Sequence, residues 1–170
     1  NRHVDSYRAF SGDGFSALRI LAPTSTQADV HAAGATWTVT LAEMIDEPPL
    51  PVRLARDTSF NRPATLRIGL NNARGVSAVP DPVVGDQLLV LTADGEKRGV
   101  LTARRFAESR ILASAHGVAI EPFADDLVLT PEPGGARLSR PGGLQLSRAA
   151  DPALAARLNR AMTPGFLDLE

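Results

Sequence analysis

Three arginines occupy the same place in a recurring phrase. Ala17-Leu18-Arg19-Ile20-Leu21, Thr65-Leu66-Arg67-Ile68-Gly69-Leu70 and Glu108-Ser109-Arg110-Ile111-Leu112-Ala113 each set an arginine before an isoleucine, roughly forty to fifty residues apart. A guanidinium is a planar fork of donors that grips a carboxylate through two parallel hydrogen bonds. If Arg19, Arg67 and Arg110 point out of their strands on one side, they line a face able to hold the carboxylates of peptidoglycan stems or the acidic surface of a protein partner. Trp37 joins them as a candidate ligand contact through its indole face, although an indole at a strand position more commonly fills a core. The plainer reading of the arginines is an exposed position on half-buried strands of an arginine-rich chain.

Asp57-Thr58-Ser59 resembles the Asp-Thr-Ser/Gly triplet of aspartic proteases, in which one ionised and one protonated carboxyl share a water. There two apolar residues precede the aspartate; here Ala55-Arg56 do, and no second triplet follows. An aspartic-type hydrolase is therefore the weakest functional reading, and a turn aspartate capping the amides after it the favoured one. His3, His31 and His116 stand at no metal-ligand spacing and read as surface or turn residues. Asp46-Glu47 and Asp125-Asp126 read as solvated turn acids rather than a glycosidase pair or calcium site. Nucleophile-elbow, phosphate-loop and dinucleotide signatures are missing, so neither a catalytic residue, a metal ligand nor a cofactor is expected.

Composition narrows the partners. The chain has 170 residues, 44% hydrophobic and 22% charged, enough to bury a core as one domain or as two coupled β units. A net charge of -1 supplies no general field for nucleic acid or anionic lipid. Lys97 is the only lysine. Without cysteine there are no disulfides, thiol nucleophiles or cysteine-ligated zinc, a composition that suits a periplasmic protein. The opening at Asn1 lacks a leader and no apolar run has membrane-spanning length, so the chain reads as a mature or excised piece with no direct membrane insertion in this segment.

The elements that must position these residues are short strands. Thr36 to Leu41 alternates cleanly, which puts Trp37, Val39 and Leu41 on one face of a half-buried strand. Glu47-Pro48-Pro49-Leu50-Pro51 is the best internal boundary, since its prolines remove donors and fix φ. Strand-sized runs follow at 52–55, 64–70, 76–79, 87–92, 99–106, 111–114, 117–121, 127–130, 136–139 and 144–147, with a hairpin turn at Asp94-Gly95-Glu96-Lys97. Asp151-Pro152 then caps a run with helical spacing that ends near Met162.

Gly12-Asp13-Gly14-Phe15-Ser16-Ala17-Leu18-Arg19-Ile20 resembles the first strand of AMIN-like domains, bacterial envelope β modules of which some bind peptidoglycan. Those domains commonly carry an arginine two residues after the aromatic, where this chain has Ala17. From Asp81-Pro82-Val83-Val84-Gly85-Asp86 through Arg105-Phe106, His116-Gly117-Val118 and Pro141-Gly142-Gly143-Leu144, the chain resembles the β-rich region that precedes tetratricopeptide repeats in large alphaproteobacterial proteins. That resemblance implies an envelope scaffold and transfers no catalytic residue.

The expected fold is all-β, of repeated antiparallel units forming a sandwich or a stacked array, with one C-terminal helix. It divides into an AMIN-like unit at 1–47, further repeated units packed with it at 48–150, and a helix and tail at 151–170. The expected function is a non-enzymatic binding or scaffolding module, periplasmic or envelope-associated, contacting another envelope protein or peptidoglycan.

Overall fold

A computed structural model describes residues 4–45, 47–59, 61–81 and 85–146, and the regular structure of these residues is entirely β. The helix expected from Asp151 lies outside the described residues. In chain order the strands are β1 (Ser6–Gly12), β2 (Phe15–Leu21), β3 (Gln27–Ala33), β4 (Thr36–Ala42), β5 (Leu50–Pro51), β6 (Arg53–Asp57), β7 (Thr65–Gly69), β8 (Ala73–Pro80), β9 (Gln87–Ala93), β10 (Arg98–Gly99), β11 (Arg104–Arg105), β12 (Ser109–Ile111), β13 (Val118–Pro122), β14 (Val128–Glu132) and β15 (Gly135–Ser139).

Two antiparallel sheets carry the core. One has the order β14-β15-β7-β6, the other β11-β12-β13-β9-β8. Period-two alternation decides which side chains meet between them. Leu66 and Ile68 of β7, Leu129 of β14 and Ala136 and Leu138 of β15 face Leu89 and Leu91 of β9, Ile111 of β12 and Val118 and Ile120 of β13 in one buried cluster. Arg67, Arg110 and Arg137 sit at the intervening outward positions. Each fully buried leucine or isoleucine contributes about 1.5–3 kcal/mol over an exposed one, so this layer is where the fold gets its stability. Among the described residues, the buried hydrophobic side chains all fall between Leu66 and Leu144.

The first 42 residues do something different. β1 with β2 and β3 with β4 form two separate two-stranded sheets, each closed by a two-residue turn, Asp13-Gly14 and Gly34-Ala35. An ion pair from Arg19 to Asp81 ties the first hairpin to the end of β8. Lys97 Nζ ties the second by reaching Asp29 Oδ1 at 2.7 Å and the Glu47 carbonyl at 2.6 Å. Asp81 and Lys97 flank opposite ends of β9, so the hairpins attach at opposite ends of the five-stranded sheet.

Several expectations change in detail. The run 99–106 is not one strand. It breaks into β10 and β11, because Val100 and Ser114 exchange main-chain hydrogen bonds at 3.1 and 3.0 Å and Gly99 presses on the Ser114 carbonyl. β10 instead pairs in parallel with β5, just after the proline cluster. Of the expected 144–147 strand, the described residues 144–146 form no strand; Leu144 is buried and its amide donates to the Ala64 carbonyl at 2.8 Å, and Ser147 lies outside the described residues. β3, rich in alanine and carrying Asp29 and His31, is defined by its pairing with β4 rather than by its own pattern.

Candidate functional site

The three repeated arginines do not form a row. Arg19 is on the first hairpin, Arg67 points outward from the four-stranded sheet and Arg110 outward from the five-stranded sheet, so the last two lie on opposite faces of the sandwich. Each has a carboxylate: Arg19 with Asp81, Arg67 with Glu132 at 3.9 Å, Arg110 with Glu121 at 2.6 Å. Arg67 has an arginine neighbour that its repeat does not reveal. Its cross-strand partner Arg137 holds the same Glu132 at 2.5 Å.

Trp37 lies 52% exposed on the second hairpin, its ring 5.8 Å from the His116 ring. It shares its face with Val39 and Leu41, and opposite them stand Ala32, Val30 and Ala28. Alternation thus places these side chains on one face as expected, but that face is only partly covered: Leu41 is partly buried, while Trp37 and Val39 (46% exposed) keep about half of their surface in water. The first hairpin repeats the arrangement. Tyr7 and Ala9 pair with Ile20 and Leu18 on one face, where Tyr7 is 76% and Leu18 56% exposed.

The other candidates are occupied in building the fold. Asp57 Oδ1 accepts from the Ser59 hydroxyl at 2.8 Å and from its amide at 3.4 Å, the contacts of a capping aspartate. The Ser59 hydroxyl, with the amide behind it, holds the Asp57 carboxyl below the ordinary aspartate range. His116 bridges β9 and β10: Nδ1 accepts from the Arg98 amide at 3.2 Å and Nε2 donates to the Ala93 carbonyl at 2.9 Å, which defines the Nε2–H tautomer. His31 lies on the polar face of the second hairpin, opposite Thr38. Among the described residues, no group of three or more histidine, aspartate or glutamate side chains is placed to hold a metal.

A buried acid and an arginine close one end of the sandwich. Glu108, 8% exposed, receives Arg140 Nη1 on Oε1 at 2.9 Å and the Gln145 amide on Oε2 at 3.0 Å, while Arg140 also reaches Asp126 at 3.0 Å. Glu108 first and Asp126 second raise the Arg140 pKa. Both Glu108 oxygens are engaged, so this carboxylate clamps the two sheets and is not half of a free acid–base couple.

Two hollows open beside the core. One, of ≈ 520 Å³, lies at the base of the second hairpin among Ala28, Ile45, Pro48, Pro49, Val100 and Leu101, and no titratable side chain lines it. The other, of ≈ 650 Å³, is the mouth of the sandwich between the outer strands β6 and β11. Arg56 is the cross-strand partner of Leu66 and Arg104 that of Ile111, both of which face the core, so both arginines take inner-face positions at this mouth. The Arg56 guanidinium stands 5.8 Å over the Phe106 ring and that of Arg105 4.6 Å over Phe123. Nothing in the spacing of Arg56 and Arg104 announces this meeting. The available signal is parity, since Arg56 alternates with Arg53 and Ala55 and so falls on the same face as Leu54.

No helix of the described residues is long and apolar enough to cross a membrane. No family model, curated protein or solved structure matches the chain.

Proposed function

We propose that the chain is a non-enzymatic binding and scaffolding module of a bacterial cell-envelope protein, and that it docks another protein through the apolar faces of its two N-terminal hairpins. The observation that carries this is the contrast between a closed core in the sandwich and the uncovered Tyr7, Leu18, Trp37 and Val39 beside it. Large apolar side chains left in water on each hairpin cost solubility unless a partner covers them, and a two-stranded hairpin alone is marginal in water. The resemblance of Gly12 to Ile20 to an AMIN-like opening strand supports the envelope setting.

The test places a photo-crosslinking residue at position 18 or 39 in the producing cell, with Thr130 on the outward side of β14 as control. Protein adducts of discrete mass from positions 18 and 39, and none from 130, are expected. An absence of adducts, together with co-sedimentation of the purified domain with isolated peptidoglycan, would replace the protein partner by the wall.

A further inference from the structure

We infer that a dent on the outer face of the four-stranded sheet binds a small dicarboxylate, one carboxylate held by Arg53 and the other by Arg67. Strand register builds the dent. Arg53 of β6, Gly69 of β7, Gly135 of β15 and Glu132 of β14 stand in one cross-strand row, so two adjacent positions of that row carry no side chain. Neighbouring strands lie about 4.8 Å apart, which leaves bare backbone across two strands between Arg53 and Glu132. The next row sets Arg67 along one side. The hollow so formed holds ≈ 300 Å³, at the small end of ligand sites.

Both arginines have donors to spare. Arg53 has no ion-pair or hydrogen-bond partner among the described residues, and the carboxylate nearest Arg67, that of Glu132, stands at 3.9 Å, outside hydrogen-bond reach. The two carboxylates of this face are occupied elsewhere: Arg137 holds Glu132 at 2.5 Å, and Asp57 accepts from the Ser59 hydroxyl.

Spacing and floor select the ligand. Arg53 and Arg67 are diagonal neighbours on adjacent strands, about 7 Å apart at the sheet, so their guanidinium forks match two carboxylates joined by a short carbon chain. β7 and β15 are interior strands, each paired on both sides, and their main-chain groups are spent within the sheet. A phosphate site draws on free backbone amides and an added peptide strand on a free edge; this floor supplies neither. Among the described residues no aromatic side chain lines the hollow, so a sugar ring has no platform to stack on.

Titration of succinate into the nitrogen-15-labelled chain tests this, read from the amide resonances of Gly69 and Gly135. Saturable shifts at these two glycines are expected, with acetate about tenfold weaker because it engages one fork only. Arg53→Gln removes no ion pair or hydrogen bond of the fold, so it should weaken succinate about tenfold and leave the melting temperature unchanged. Arg67→Gln should weaken it by a similar factor, whereas Arg74→Gln, on the edge strand β8 of the other sheet, should have no effect. Should Arg67→Gln lower the melting temperature, Arg53→Gln decides the matter alone. The inference falls if succinate leaves both glycines unshifted, if acetate or inorganic phosphate binds as tightly, or if Arg53→Gln leaves the affinity unmoved. Its failure would leave the hairpin surfaces untouched, because they lie on other elements.

Discussion

The sandwich and the two hairpins are made of the same kind of strand, yet one region buries its apolar face and the other leaves it in water. β7 and β4 show this most directly. β7 reads Thr-Leu-Arg-Ile-Gly and buries Leu66 and Ile68; β4 reads Thr-Trp-Thr-Val-Thr-Leu-Ala, alternates just as well, and leaves Trp37 and Val39 about half exposed. Alternation defines a face, and a second layer makes that face a core. The sandwich supplies its own second layer. The hairpins are held by turns, by pairing, by one ion pair each to the sandwich and, in the second, by the Trp37–His116 contact, and much of their apolar surface stays exposed among the described residues.

Truncating one apolar side chain in each region separates these roles most sharply. Leu138→Ala removes a side chain with 0% exposure from the centre of the cluster and should cost about 2–5 kcal/mol in urea unfolding. Val39→Ala should change stability by no more than about 0.5 kcal/mol, as surface substitutions do. Equal losses would mean that the second hairpin shares the core and that its face is not a docking surface.

Glycines repeat the comparison at a smaller scale. Gly135 pairs with Gly69 where β15 meets β7; its φ is 150° and an added Cβ would stand 1.8 Å from the Ile68 carbonyl oxygen. Gly135→Ala must push two central strands apart, at about 3 kcal/mol from strain and overpacking together. Gly34 has a φ of 61° in the turn of the second hairpin and open space where a Cβ would go. Gly34→Ala then carries only the left-handed backbone penalty, about 1 kcal/mol. Thermal melts of the two variants check the order, and a Gly34→Ala loss as large as that of Gly135→Ala would break it.

Much of the sandwich can be read from its residues, because the strands that build it bury alternate Leu, Ile and Val between turns of Gly, Pro and Asp. The repeated Arg-Ile phrase reflects that pleat. In β7 and β12 the arginine is the outward residue between two inward ones, so the repeat recurs wherever a strand covers the core and does not gather its arginines at one place. β3 escapes notice because alanine, aspartate and histidine have little strand preference of their own, and β4 across the pair supplies what they lack. The sandwich mouth is harder still. Arg56 looks like a break in a protease-like triplet and Arg104-Arg105 like a basic pair in a long strand. They meet because the chain leaves its sheet at Val100, a consequence of the Ser114 contacts that no local pattern encodes.

The smallest effect concerns the tether that joins the two regions. Lys97, by hydrogen bond and charge, holds the Asp29 carboxyl below its ordinary value of 3.8. A carboxyl whose pKa is depressed in the folded state contributes at pH above its unfolded value, and that contribution is lost as the pH falls through the folded one. The second hairpin should thus stay seated at neutral pH and loosen only in acid below about pH 4. Trp37, the only tryptophan, sits on this hairpin against His116 and reports the change by its fluorescence. Asp29→Asn should remove the acid step and leave the urea midpoint of the sandwich nearly unchanged. The difference between the two titration curves isolates the Asp29 carboxyl. The same acid step in Asp29→Asn would show that the hairpin is seated by its apolar contacts at Trp37, and the face assigned to a partner would then belong in part to the sandwich.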